Sequence, residues 1–360
     1  MNSWLFHEKD VIYKSPSRKS MTMEQELRNR ESIYDFIIKL GSNLKIDAKT
    51  IFGATILVNR YYMRIPITTS KYFVACAAMA ISCKLHDTYR LPDNIALIAC
   101  RLKNPTKVIN DNSEIFWQWR DQLLFREELM LKTLNFDLNI DFPYDLRNDL
   151  MEFKSDNDVF EDKKLDIMKN TVSVIELVSS LPILMSYEMN IVYGTILIIV
   201  VLEANERFNM NIKLPKDYIR DQLNVDINLC LKCYRYLLAL IDYSNRDVKC
   251  ISNKPATKRI RKVTDEEMLS VVDESIEIRP RSERPKGEKS DSDRPHSRES
   301  SHYRPSKPES RNIRPDRDLR PDRESSHYKP NQTSSKPPSH RTDRSDRSDR
   351  SDPYRKYMQY

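Results

Sequence analysis

Two stretches of this chain, Tyr72 to Cys83 and Ile191 to Leu202, are apolar on nearly every side when wound at helical spacing. A helix without a polar face must be surrounded by other helices. Amphipathic segments flank both stretches. Thr22-x-x-Gln25 has the form of a capping box. Leu27, Tyr34, Ile37, Ile38 and Leu40 follow it at helical spacing, and Gly41 is expected to stop that helix. A second helix is expected from Asp47 to Tyr62, ended by Pro66. A third is capped by Thr69 or Ser70, a short fourth follows Pro92, and a long fifth runs from Ser113 to about Leu134. The pattern then restarts, with helices expected over 163–180, 187–206, 215–222 and 226–242. No Asn-Gly or Asp-Gly hairpin turn occurs, so strands are not expected. The reading is an all-α fold: a tandem pair of helical domains of about five helices each.

The rest of the chain differs in kind. Nearly all apolar runs lie before Tyr243, while residues after Lys254 hold most of the Pro and much of the Arg, Asp and Ser. The hexapeptide Arg298-Glu299-Ser300-Ser301-His302-Tyr303 recurs at 323–328, and Ser-Asp-Arg repeats fill 345–350. Such mixed-charge sequence buries too little to offset its chain entropy. The expected organisation is an extension over 1–22, a first helical domain over 23–145, a second over 146–250, and a disordered tail over 251–360. Truncation after Lys254 is expected to leave folding intact. The basic run Lys258-Arg259-Ile260-Arg261-Lys262 is a candidate nuclear import signal carried by Lys258, Arg259, Arg261 and Lys262; plain linker charge is the alternative.

Several function classes are disfavoured. The four glycines, Gly41, Gly53, Gly194 and Gly287, are too dispersed to form a phosphate-cradling loop. Cys230-x-x-Cys233 has no second pair and no nearby His, so it reads as helix-packing thiols rather than zinc ligands; the scattered cysteines fit a reducing compartment. The His residues fall at 7, 86 and in the tail, with no nucleophile–base arrangement. Met1-Asn2-Ser3-Trp4 begins no apolar segment, which predicts no signal peptide. The run from Ile191 to Leu202 is too short to span a bilayer. No catalytic group, cofactor, metal or membrane is expected.

Two charges interrupt apolar stripes. On the fifth helix Glu127 has Leu123, Leu124, Met130 and Leu131 at its helical neighbours. On the third, Phe73, Ala77, Ala80 and Ile81 lead at the same spacing to Lys84. A charge in an apolar stripe is costly unless paired, which suggests a mutual Lys84–Glu127 pair at a core edge. Two alternatives stay open on spacing alone: Lys84 snorkelling at a helix C-terminus, and Glu127 paired with Arg120 or Lys132.

Those residues carry a family resemblance. Ile56 to Met63 resembles the second helix of a cyclin box. Ala75 to Leu85, with the turn His86-Asp87-Thr88, resembles the third, and Glu127 with Leu134-Asn135-Phe136-Asp137-Leu138 the fifth. Trp4-Leu5-Phe6, Ser15-Pro16-Ser17-Arg18, Glu26 and Arg30 resemble the lead-in of cyclins T and K, and Phe136-Asp137-Leu138 followed by Pro143-Tyr144 is similar to cyclin K. His86-Asp87, where two acidic residues are usual, and Asn135, where Gly or Lys is common, depart from the pattern. The resemblance covers about residues 4–245. It implies a non-catalytic nuclear subunit that forms a heterodimer with a cyclin-dependent Ser/Thr kinase and activates it, with Lys84 and Glu127 pairing and contacting that kinase. It implies a role in RNA polymerase II transcription, through phosphorylation of the polymerase C-terminal domain and elongation. The tail is a candidate contact for RNA polymerase II or RNA. Two alternatives remain: a splicing-linked regulator similar to cyclin L, whose Arg/Ser content the tail shares, and a basal factor of the IIB type with the same fold and no kinase.

Overall fold

The computed structural model describes residues 4–68, 70–155, 157–215, 218–245, 260–273 and 278–280. Both helical blocks lie within one unit, Met1–Glu288.

The first block contains α2 (Met23–Leu44), α3 (Ala48–Tyr62), α4 (Lys71–Leu85), α5 (Pro92–Lys103) and α6 (Glu114–Thr133). Thr22 and Gln25 close the expected capping box, with Gln25 N donating to Thr22 Oγ1 at 3.3 Å and Thr22 N to Gln25 Oε1 at 3.0 Å. Asp47 caps α3 through its side chain. The apolar α4 is the central helix: every residue from Val74 to Cys83 is buried, and α2, α3, α5 and α6 surround it.

Gly41 does not stop the first long helix. α2 continues to Leu44 and ends at Lys45 in the left-handed region (φ 53°). A Cβ at Gly41 would stand 2.6 Å from Ile51 Cδ1, so the missing side chain serves a close approach of α2 to α3.

Ahead of the first block, α1 (Glu8–Tyr13) and a 3-10 turn (Pro16–Lys19) carry the lead-in. After it, α7 (Pro143–Glu152) and β1 (Phe153–Ser155) lead to the second block, whose helices are α8 (Asp158–Val178), α9 (Met189–Phe208) and α10 (Ile227–Asn245). The expected helix over 215–222 is only a π-helical turn, Tyr218–Gln222. α9 is the second central helix. At 20 residues it is long and apolar enough to cross a membrane, against the expectation from its shorter apolar run. It instead fills the second core, with Val192 to Leu202 buried between α8 and α10.

The tail boundary expected at 251 is corrected by residues 260–273. Val263, Met268 and Val271 are 8%, 0% and 2% exposed and belong to the second core. α11 (Asp265–Ser270) opens on a second capping box, Thr264 with Glu267. Tyr234 Oη accepts from Val263 N at 2.7 Å and donates to the Arg261 carbonyl at 3.1 Å. Strands form where none were expected. β3 (Val272–Asp273) pairs in parallel with β2 (Leu214–Pro215), and β4 (Ile278–Pro280) pairs antiparallel with β1. A few apolar residues at the right spacing suffice for a short clasp, and averaging over 110 mostly polar positions hid them. Residues 246–259 and 281–360, with the rest of the expected tail, lie outside the described residues.

Candidate functional site

Lys84 stands in the last turn of α4 and Glu127 in the middle of α6. Buried Leu123 and Met130 hold α6 in the first core, and Glu127, one turn from each, comes to the rim of that core at 8% exposure. Lys84 Nζ donates to Glu127 Oε1. Glu127 takes neither alternative partner: Arg120 reaches Asp93 on α5 at 2.6 Å, and Lys132 pairs with Glu128. The ammonium spends one of its three donors here, and Glu127 Oε2 takes no hydrogen bond among the described residues. The pair therefore holds itself and keeps bonding capacity for an incoming surface. Leu85 beside Lys84 and Leu124 one turn before Glu127 are both exposed (40% and 38%), giving the charges an apolar frame.

Gly53 sets the approach of α3 to this end of α4. A Cβ there would stand 2.6 Å from Ser82 Oγ and 3.0 Å from His86 Nε2. Ser82 is fully buried and donates to the Thr50 carbonyl at 2.7 Å, so it has nowhere to move. Gly53→Ala is expected to cost on the order of 1–3 kcal/mol as an overpacked core site. Denaturant titration checks this; an unchanged midpoint at unchanged slope counts against the close approach.

The lead-in residues converge on one buried network. Glu26 Oε2 accepts from Ser15 Oγ (2.9 Å) and Arg18 Nη2 (2.7 Å), while its Oε1 accepts from Arg30 Nε (3.0 Å) and Nη2 (2.8 Å). Arg30 Nη1 donates to Asn59 Oδ1, and Asn59 Nδ2 donates to the Ser179 carbonyl of the second block, both at 2.8 Å. Asn59 joins the blocks, a role its sequence position did not disclose. Lys164 was also missed. It is 3% exposed on α8 and donates to the Phe153 carbonyl and to Glu161. Its place between Phe160 and Met168 at four-residue spacing is the same signal that marked Lys84.

The two departures from the family pattern have local causes. His86 caps α4 and meets the Phe142 ring edge-on at 5.1 Å; burial first, then Lys49, holds its pKa below the usual histidine range. Asn135 takes the left-handed conformation (φ 52°), which a short polar side chain tolerates. Cys230 and Cys233 are free and buried, and burial pushes the Cys230 thiol up to about 11. Within the basic run, Arg261 pairs with Glu206 (2.7 Å) and Glu267 (3.0 Å), and Lys262 with Asp242 (3.3 Å). Lys258 and Arg259 lie outside the described residues.

Residues 3–139, which contain the lead-in network and both members of the charge pair, match the family described as "Cyclin, N-terminal domain". These residues form a cyclin domain. The chain is 25% identical over 146 residues to cyclin pch1 of Schizosaccharomyces pombe, a match spanning 40% of this chain and 43% of that protein. It is 31% identical over 144 residues to cyclin-T1-2 of Arabidopsis thaliana, spanning 39% of this chain and 31% of that one. The matches thus span less than half the length of these relatives. The fold is similar to a chain of the "Crystal Structure of the yeast RNA Pol II CTD kinase CTDK-1 complex", with a TM-score of 0.50 and 14% identity over 74% of this chain and 81% of that one. A likeness over 74% of this chain reaches beyond the matched residues 3–139.

Proposed function

We propose that this chain is the non-catalytic regulatory subunit of a cyclin-dependent Ser/Thr kinase acting in RNA polymerase II transcription in the nucleus, and that Lys84 and Glu127 dock the kinase. The observation that carries this reading is the charge pair itself, set at the rim of α4 and α6 between exposed Leu85 and Leu124 with bonding capacity to spare. A protein kinase is active only when a helix of its small lobe brings a Glu to the catalytic Lys. A rigid helical surface that binds the inward position of that helix shifts the population toward activity. The fold supplies such a surface, since α4 is gripped on all sides by its own block. The similarity to cyclin pch1 and cyclin-T1-2, and the fold likeness to a chain of the solved RNA Pol II CTD kinase complex, support the transcriptional assignment.

Affinity purification of the full chain, with mass spectrometry of what co-elutes, tests this. The expected result is a cyclin-dependent kinase in near-equal amount, active on polymerase C-terminal repeat peptides. Splicing factors without elongation factors would move the assignment to a splicing-linked kinase. No kinase at all would remove it.

A further inference from the structure

The other end of α4 carries a second charged cluster, about 20 Å from Lys84 at 1.5 Å per residue. Lys71, in the first turn of α4, and Lys103, in the last turn of α5, converge on one phenol. Their ammonium groups lie 5.1 Å and 3.8 Å from the centroid of the Tyr72 ring. Tyr72 is fixed by Phe36, whose ring centroid is 5.0 Å away, and its hydroxyl shares a hydrogen bond of 2.7 Å with Ser32 Oγ. Lys71 Nζ donates to Asn29 Oδ1 at 2.7 Å.

Neither ammonium forms an ion pair with a carboxylate among the described residues. Elsewhere on this surface lysines find partners, as Lys132 does with Glu128 and Lys262 with Asp242. Lys71 is also half-buried, and burial first, with Lys103 adding to it, holds its pKa below the usual lysine range. Burial alone would raise the Tyr72 phenol, but the Ser32 hydroxyl and the two lysines outweigh it and hold it below its usual value. The phenol is thus the nearest thing to a counter-ion that these cations have. Two converging cations, two hydroxyls and no carboxylate make a site short of negative charge.

We propose that Lys71 and Lys103, with the hydroxyls of Tyr72 and Ser32, bind the phosphate of a phosphoserine- or phosphothreonine-bearing peptide. A phosphate monoester carries close to two negative charges and three acceptor oxygens, which matches two ammonium groups and the one hydroxyl proton that the Ser32–Tyr72 bond leaves free. A nucleic acid needs a stripe of cations along its backbone, whereas these two stand as a compact pair. The site lies at the far end of α4 from the Lys84–Glu127 rim and shares no residue with it. The proposal does not depend on the kinase-docking reading.

The test uses the full chain alone and a fluorescein-labelled peptide with one phosphoserine flanked by prolines, against its unphosphorylated twin, by fluorescence anisotropy. The phosphopeptide is expected to bind about tenfold or more tightly than the twin. Lys71→Gln and Lys103→Gln are each expected to weaken it by about tenfold, and Lys107→Gln, also on an exposed lysine nearby in sequence, to change nothing. If Lys71→Gln lowers the melting temperature, Lys103→Gln, at an exposed position, decides alone. Equal binding of the two peptides overturns the proposal, as does wild-type affinity in Lys103→Gln. Displacement by polyadenylate RNA or by phosphatidylserine vesicles at equal phosphate concentration also overturns it, because the site would then be a general polyanion contact.

Discussion

Cutting the chain after Lys254 is expected to unfold or severely loosen the second helical block, whereas cutting it after Pro280 leaves thermal stability unchanged. The difference is the clasp of residues 260–273. Its loss would uncover the part of the second core now closed by Val263, Met268 and Val271, which are 8%, 0% and 2% exposed. Burying a side chain of this kind contributes about 1.5–3 kcal/mol, so the three together contribute about 4.5–9 kcal/mol as an upper estimate. That is a large share of the roughly 5–15 kcal/mol that holds an ordinary domain together. The Tyr234 hydroxyl would also lose both backbone partners, and the Leu214 amide its bond to the Val271 carbonyl. Residues 281–360 contain only Ile313 and Leu319 as branched aliphatic residues, so removing them gives up little apolar surface. Thermal melts of the two truncations decide this. Equal melting temperatures for the 1–254 and 1–280 fragments would show that the clasp adds nothing to stability.

Glu127→Ala and Lys84→Ala are each expected to fold nearly normally and to weaken kinase binding by about tenfold or more. In the free protein the Lys84 side chain is 46% exposed, so water replaces a lost partner at small cost to folding. Under a docked kinase that water is excluded, and the surviving charge is left poorly paired among apolar neighbours. Such losses in interfaces run at about 2–5 kcal/mol. The double mutant is expected to cost much less than the sum, because each single change breaks the same network. Glu128→Ala is the control: its side chain is 67% exposed and pairs with Lys132 one turn along α6. Titration calorimetry against the co-purified kinase, with melts alongside, gives the answer. Wild-type binding by Glu127→Ala, or damage from Glu128→Ala, removes the pair from the docking surface.

Much of the architecture was legible in the sequence because it rests on local periodicity. The all-round apolar runs placed α4 and α9 at the centres of two blocks, and Thr22-x-x-Gln25 marked the start of α2. The Lys84–Glu127 pair was legible for a related reason. A charge in an apolar stripe needs a partner, and Lys84 and Glu127 each interrupt a stripe of the first block. The same rule applied to α8 would have found Lys164. Thr264-x-x-Glu267 beside Val263, Met268 and Val271 was likewise a readable helix start, lost in the averaged composition of the tail.

Tertiary structure alone decided what depends on neighbours distant in the chain. Gly41 looked like a helix stop, yet α2 runs through it because Ile51 of α3 lies where a side chain would be. Asn59 became the link between blocks only when α2 and the end of α8 met it from opposite sides. Whether Lys71 and Lys103 share a phenol or stand apart depends on how α4 and α5 cross. The sequence by itself determined which segments wind into helices and which faces they must bury, because side-chain spacing on a helix is set within a turn or two. Which charges end up facing each other, and which stay without a counter-charge, was decided by packing, because helices far apart in sequence meet only in the folded core.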